Sequence, residues 1–395
     1  MSPQPDTASS AALRLARAQG WVGASVDLID TPALVIDLDA MDRNLALMAA
    51  FAKNRGLRLR PHAKTHKSAE LAMRQMAQGA AGVCVQKIDE ALALWRGGVN
   101  DIYITNEVVC AAKLARLAQA VRDPGARFAI AVDSLLGIER LAEALAQAQV
   151  TAPESIDVFV EIDVGHGRCG VESPEAVVPL AQHIQRHPAL RWAGLQAYQG
   201  AAQHLRTAAE RNSALAASAM RVRDAMACLK ASGIHTPLVT GAGTGSFVRE
   251  AGGGQLGELQ TGSYLFMDAD YAVNENDPGA PPFEHALFIK AQVMSCSARH
   301  AVCDAGHKSH AIDSGLPSVA FPSGLRYANG GDEHGVLHPT DIGAAPPALG
   351  STVWLIPGHC DPTVNLHDVY VGVRGGLRGG RVDRIITIDA RGALG

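Results

Sequence analysis

Paired cysteines, long apolar runs, aromatics and an excess of positive charge are what this sequence has least of. Its seven cysteines (84, 110, 169, 228, 296, 303 and 360) are an odd, scattered set with no Cys-x-x-Cys pair. That excludes a disulfide framework and points to a reducing compartment. Charged residues interrupt every apolar stretch well before the roughly 20 residues a membrane helix needs, and no apolar leader core follows Met1. A cytoplasmic protein without membrane association is expected. Lys plus Arg number 35 against 39 Asp plus Glu, a formal charge of −4, so the basic footprint of nucleic-acid binding is missing and a small-molecule partner is the default.

What is present is a core. The 395 residues are 47% hydrophobic and 19% charged, which excludes disorder and suits one large barrel with a smaller second domain. Aromatics contribute only 5%, while glycines number 40. Residues 1–30 read as a lead-in, with a helix around 11–18, expected to pack with the second domain. From Thr31, continuously apolar runs alternate with Ala/Leu-rich helical patterns: ALVIDL (33–38), LRLRP (57–61), GVCV (82–85), DIYIT (101–105), RFAIAVD (127–133), IDVFVEID (156–163), RWAGLQAY (191–198) and TPLVT (236–240). Repeated βα units of this kind predict a TIM-type (β/α)8 barrel over 31–280. Beyond ENDPGAPPF (275–283) the helical patterns stop. ALFIKAQVMS, STVWLIP and DVYVGVRGG, separated by Gly/Pro-rich turns, predict a C-terminal antiparallel β domain over 281–395.

A parallel barrel does its chemistry at the C-terminal ends of its strands. The first informative end is Arg60-Pro61-His62-Ala63-Lys64-Thr65-His66-Lys67. A lysine there can form a Schiff base if burial or a neighbouring cation lowers its pKa, and it can equally be a solvated helix-start residue. His62 and His66 also have the i,i+4 spacing of two metal ligands on a helix face, with no obvious third. Next comes Glu161-Ile162-Asp163-Val164-Gly165-His166-Gly167-Arg168-Cys169-Gly170, a glycine-rich loop offering one permanently charged arginine. Gln196-Ala197-Tyr198-Gln199-Gly200 and then His204 bring hydrogen-bonding groups to the same rim. Thr240-Gly241-Ala242-Gly243-Thr244-Gly245-Ser246 presents backbone N–H groups suited to a phosphate, and lacks the lysine of a Walker loop. In the β domain, Pro357-Gly358-His359-Cys360-Asp361-Pro362-Thr363, if extended, places His359 and Asp361 on one face, a donor pair suited to Mn, Zn, Co or Mg. A His–Asp hydrogen bond closing a turn is the simpler alternative.

Taken together, RPHAKTHK (60–67), VCVQK (83–87), TNEVV (105–109), EIDVGHGRCGV (161–171), LQAYQG (195–200), TGAGTGS (240–246), LQTGSYLFMDADY (259–271), DEHG (332–335) and PGHCDPTVNLHD (357–368) resemble the fold-type III pyridoxal phosphate enzymes. Within them the chain is similar to the D-threonine aldolase and 3-hydroxy-D-aspartate aldolase group, over about Thr31 to Arg374. The resemblance implies an alanine racemase-like fold, with pyridoxal 5'-phosphate carried on Lys64 and its phosphate held by Gly243, Thr244 and Gly245. His62, Gln86, Arg168, Gln196 and Tyr198 would surround the cofactor, and His204 would be the acid or base. His359 and Asp361 would bind the divalent ion, manganese first, with magnesium, cobalt or zinc as alternatives. The implied reaction is reversible cleavage of a D-3-hydroxy amino acid to glycine and an aldehyde, in a homodimer. His307 departs from the apolar residue expected at its position. Three rivals remain: a dehydratase of the same fold, whose relatives carry Cys where this chain has Asp361; a pyridoxal phosphate carrier without turnover; and a metal-dependent barrel hydrolase using His62 and His66.

Overall fold

The computed structural model describes residues 10–151 and 154–395; residues 1–9, the start of the expected lead-in, lie outside them. The chain divides into two compact units. One comprises Leu45–Tyr264, Tyr271–Pro282 and Gly392–Gly395; the other comprises Leu265–Asp270, Phe283–Arg391 and the described part of Met1–Asn44.

The strand β1 (Ala33–Asp37) comes first in the chain. Eight parallel strands follow: β2 (Arg58–Leu59), β3 (Val83–Val85), β4 (Asp101–Ile104), β5 (Arg127–Val132), β6 (Ile156–Glu161), β7 (Leu190–Ala197), β8 (Val239–Gly241) and β9 (Glu258–Leu259). They are ordered β2-β9-β8-β7-β6-β5-β4-β3. The two ends of this order meet: His62 bridges Cys84, and the amides of Ala81 and Cys84 donate to the carbonyls of Leu59 and Pro61. A sheet closed on itself leaves no edge to protect. Its strands are buried nearly throughout, which is why RFAIAV and IDVFVE show no alternation. Cys84, Tyr103, Ala129, Ala131 and Phe159 pack inside, with the Tyr103 and Phe159 rings 4.7 Å apart. The helices between strands start on local signals: Ser134 Oγ accepts the Gly137 N–H, and Thr207 with Glu210 makes a reciprocal capping box.

The other unit holds β10 (Leu287–Cys296), β11 (Ala301–Cys303), β12 (Ser318–Phe321), β13 (Leu325–Asn329), β14 (Gly335–Pro339), β15 (Thr352–Ile356), β16 (Val369–Arg374) and β17 (Arg381–Thr387). With β1 they make a nine-stranded sheet. Here the expectation for residues 33–38 fails. β1 is not a barrel strand; it lies between β10, antiparallel, and β16, parallel. Ala33 to Ile36 are buried just as barrel strands are, so an apolar run carries no mark of which sheet will claim it. Its expected place in the barrel belongs to β9, whose two residues are too short to register as a pattern. The lead-in also joins this unit: helix Ser10–Gln19 touches β17, Trp21 packs on a cluster that includes Val35, Trp354 and Val371, and Ser25 bridges Arg381.

Candidate active site

A cavity of about 410 Å³ opens at the C-terminal ends of the barrel strands. Its walls come from the segments after β2 (His62, Lys64, Thr65), β3 (Gln86, Lys87), β4 (Thr105, Asn106), β6 (Arg168, Cys169), β8 (Gly243, Thr244) and β9 (Gln260, Gly262, Ser263), together with Gln196, Tyr198 and Tyr271. Among these described residues are three cationic side chains, Lys64, Lys87 and Arg168, and no carboxylate. Such a cavity suits an anionic ligand.

Lys64 sits in the 3-10 turn Ala63–Thr65, whose first N–H groups are capped from the preceding residue: the Lys64 N–H donates to His62 Nδ1 at 3.4 Å. The other ring nitrogen of His62 lies 3.1 Å from Thr105 Oγ1 and 2.9 Å from the Gln86 amide, fixing the imidazole against the cavity wall. Lys67, which spacing could not separate from Lys64, has a different fate. It adopts φ 51° and its Nζ lies 2.6 Å from Glu90 Oε1, with both side chains over nine-tenths buried. Glu90 Oε2 also accepts the N–H groups of Gln86, at 2.9 Å, and Lys87, at 3.2 Å. One carboxylate thus ties the lysine turn to the next rim segment. The His62–His66 metal pair does not form: His66 Nε2 turns to Gln75 Oε1 at 3.1 Å and its Nδ1 accepts the Ser68 N–H, because the turn ends before a helix can stack the two rings.

Under the cavity runs a continuous polar spine. Tyr103 donates to Gln196 Oε1 at 3.0 Å; Gln260 Nε2 donates to Gln196 Oε1 at 2.7 Å and to Thr240 Oγ1 at 2.8 Å; Thr240 donates to Glu258 at 3.0 Å. Glu258 in turn accepts from Arg60, which reaches Asp101 Oδ1 at 2.5 Å. Burial without satisfied partners would cost several kcal/mol per group, so such a chain fixes Gln196 in one orientation. Arg168 lies over the Tyr198 ring, 5.8 Å from its centroid. Beside it, burial and then the charge of Glu107 push the Cys169 thiol up to about 11.

The glycine loop after β8 is built differently from its sequence expectation. The Gly243 N–H donates to Ser246 Oγ at 3.1 Å, and the Gly245 N–H to Gln203 Oε1 at 2.8 Å. Two of the three expected phosphate donors are therefore engaged within the protein, and Gly245 is outside the cavity lining. A Cβ at 243 would sit 2.4 Å from Gln203 Oε1, so a larger residue there would have to displace the end of the Gln203 side chain. His204 is also outside the lining; it is exposed, with its ring 6.3 Å from that of Tyr271, which does line the cavity. Gly262 and Ser263 were missed by strand-end reasoning because β9 itself was missed. The T-G-S that follows β9 is a second Gly/Ser/Thr loop and was a readable signal. A Cβ on Gly262 would lie 2.8 Å from the His62 carbonyl.

In the β unit, the assumption that 359–361 is extended does not hold. His359 is extended at φ −143°, but a short helix starts at Cys360, and Asp361 lies in its first turn. His359 Nδ1 lies 2.7 Å from Asp313 Oδ2 and 3.3 Å from Ser314 Oγ, which leaves Nε2 to meet a ligand. Among the described residues no group of three or more His, Cys, Asp or Glu side chains is disposed to hold a metal ion. His359 and Asp361 thus supply at most two donors. An oriented imidazole backed by a carboxylate is the arrangement metal-binding histidines use, and the donor set suits an ion with open positions. His307 is paired with Asp332 at 2.8 Å.

A closed parallel barrel with a lysine turn at its rim, accompanied by a largely antiparallel sheet that reclaims the first strand, defines the alanine racemase-like, fold-type III class of pyridoxal phosphate enzymes. The family described as "Alanine racemase, N-terminal domain" matches residues 36–270, and "Putative serine dehydratase domain" matches residues 286–373. The chain is 45% identical to D-threonine aldolase of Arthrobacter sp. over 92% of its length and 93% of that protein's. It is 43% identical to 3-hydroxy-D-aspartate aldolase of Paracoccus denitrificans (strain Pd 1222), covering 92% of each. The crystal structure of D-threonine aldolase from Filomicrobium marinum, 45% identical, matches with a TM-score of 0.90 over 95% of this chain and 99% of that one. The chain belongs to the D-threonine aldolase and 3-hydroxy-D-aspartate aldolase family; it is an aldolase, a carbon–carbon lyase.

Proposed function

We propose that the chain cleaves D-3-hydroxy amino acids, D-threonine or 3-hydroxy-D-aspartate, to glycine and acetaldehyde or glyoxylate, with pyridoxal 5'-phosphate on Lys64. The observation that carries this reading is the cavity: two lysines and an arginine, fixed amide and phenol groups, and among the described residues no carboxylate in its lining, a donor set that fits an anionic phosphate and ring oxygen. Lys64 would hold the cofactor, Thr244 with the Gly262–Ser263 turn would receive the phosphate, and Arg168, Gln196 and Tyr198 would orient the ring. When bound, the cofactor supplies an electron sink for the pair released as the Cα–Cβ bond breaks.

Breaking that bond also requires a proton to leave the β-hydroxyl, which is not acidic at neutral pH. His359 and Asp361 would hold a divalent ion, manganese first, that acidifies the hydroxyl as bound metals acidify water. His359 would ligate through Nε2, since Asp313 engages Nδ1. His204 would be the acid–base candidate; its ring lies 6.3 Å from that of Tyr271, a residue of the cavity lining. Assembly as a homodimer and a cytoplasmic location complete the proposal; among the described residues no helix is long and apolar enough to cross a membrane. Borohydride reduction followed by peptide mapping tests the cofactor assignment. The adduct is expected on Lys64 and absent in Lys64→Ala; an adduct on Lys67 or Lys87 would overturn it.

A further inference from the structure

Behind Arg168, outside the cavity lining, lie two carboxyl groups that the chemistry above does not use. Glu161 ends β6 and is 3% exposed. Glu107 follows β4. The chain after β6 loops round and returns alongside it, closing a parallel bridge between Ile162 and Val171: Asp163 N–H donates to the Val171 carbonyl and Val171 N–H to the Glu161 carbonyl, at 3.0 and 2.9 Å. Gly170 makes this possible at φ +97°, where a Cβ would lie 2.6 Å from the Asp163 nitrogen. The loop sets Arg168 and Cys169 beside Glu161, with the guanidinium 3.9 Å from Glu161 Oε1. Both Glu107 oxygens and Glu161 Oε2 are buried without a well-formed hydrogen bond, and the donor beside Glu107 is the weak Cys169 thiol.

Glu107 acts directly on Glu161, and two buried carboxylates in such close interaction resist ionising together. A proton is the donor that would satisfy them, one acid giving its O–H to the other's oxygen. We infer that Glu107 and Glu161 share one proton and together act as positioning residues for Arg168, presenting it to the anionic ligand as half of a charge-balanced pair. Burial first, then the charge of Glu107 and the hydrogen bond that a protonated Glu161 makes to it, hold the Glu161 carboxyl up to about 9, against a smaller opposing pull from Arg168. The other groups bearing on Glu161 and its surroundings are Asp133, Cys169 and Tyr103; Lys87 and Lys113 line a neighbouring cavity with Glu107. Loss of the shared proton leaves two negative charges on one arginine, drawing its field away from the cavity. Ligand affinity then falls while the chemistry at Lys64 is untouched.

The ligand half of this inference rests on the function proposed above; the shared proton does not, and the test separates them. Infrared difference spectra of the full chain, with its cofactor, between about pH 7.5 and 10.5 should show loss of a protonated-carboxyl C=O band. The band should be missing in Glu161→Gln and should titrate at least about one unit lower in Glu107→Gln. In the loaded enzyme KM should rise about tenfold from pH 8 to 10 with kcat nearly constant, and this rise should flatten in both amide variants; substrate titration is common to all three proteins and cancels. Absence of the band in the unmodified chain, or an unchanged midpoint in Glu107→Gln, overturns the shared proton even if a variant fails to fold, since the first readout needs none. Coincident KM profiles in the unmodified chain and the amide variants, with the band behaving as expected, overturn the positioning of Arg168.

Discussion

The ion pair between Lys67 and Glu90 offers a quantitative test of how the lysine turn is held. At 2.6 Å the gross Coulomb attraction is about 6 kcal/mol for an effective dielectric of about 20. Most of that is offset by taking both ions out of water. What a substitution reads is the cost of removing one partner, about 3–5 kcal/mol for a buried pair. The structure makes the two sides unequal. Glu90 still accepts two backbone N–H groups when Lys67 is replaced, so Lys67→Met should cost less, about 2–3 kcal/mol. Glu90→Gln keeps the shape but removes the counter-charge of an ammonium fixed at positive φ, and should cost the full 3–5 kcal/mol. In Lys67→Met/Glu90→Gln neither side chain of the pair carries a charge, and the loss should fall to about one hydrogen bond, roughly 1–2 kcal/mol. Urea midpoints, read with a common slope, give all three values. A double variant as unstable as the sum of the singles would refute the reasoning, as would a Glu90→Gln within 1 kcal/mol of the unmodified chain. Lys67→Met should also keep the borohydride adduct, which ties the stability argument to the identity of the cofactor lysine.

Asp361→Ala, or exhaustive chelation, should lower cleavage by about a thousandfold, equivalent to about 4 kcal/mol of transition-state stabilisation, while the cofactor absorbance persists; parallel activity assays and visible spectra check it. The Glu161 carboxyl gives a pH signature in stability. Unfolded, it ionises in the ordinary carboxylate range; folded, it keeps its proton up to about 9, so the folded chain binds the extra proton between those limits. Its effect on stability therefore becomes less favourable as pH rises through that window and is constant outside it. Glu161→Gln should accordingly be more stabilised, relative to the unmodified chain, at pH 8.5 than at pH 5, by thermal unfolding at both values.

Much of this site could be read from strand ends. His62, Lys64, Arg168, Gln196, Tyr198, Gly243 and Thr244 all line the cavity, because in a parallel barrel the residues after each strand necessarily meet at one rim; Gln86, which also lines it, comes from the family resemblance. The failures have physical causes. The run at 33–37 is apolar for burial in the other sheet, and burial looks the same from either side. β9 has two residues, below any period, and with it went Gly262 and Ser263. The loop at 243–245 has the composition of a phosphate cradle, yet Gln203 and Ser246 use two of its amides, a long-range contact that local pattern does not encode. The interaction of Glu107 with Glu161, more than fifty residues apart, is of the same kind: each residue stands in a motif, and only folding brings the two carboxyls under each other's influence.

The most direct test of the central claim is product analysis with D-threonine and with 3-hydroxy-D-aspartate, using enzyme loaded with cofactor and metal. Glycine and the matching aldehyde in equal amounts, without ammonia, are the predicted result. Ammonia and a keto acid in place of glycine would contradict the account and make the chain a dehydratase of the same fold.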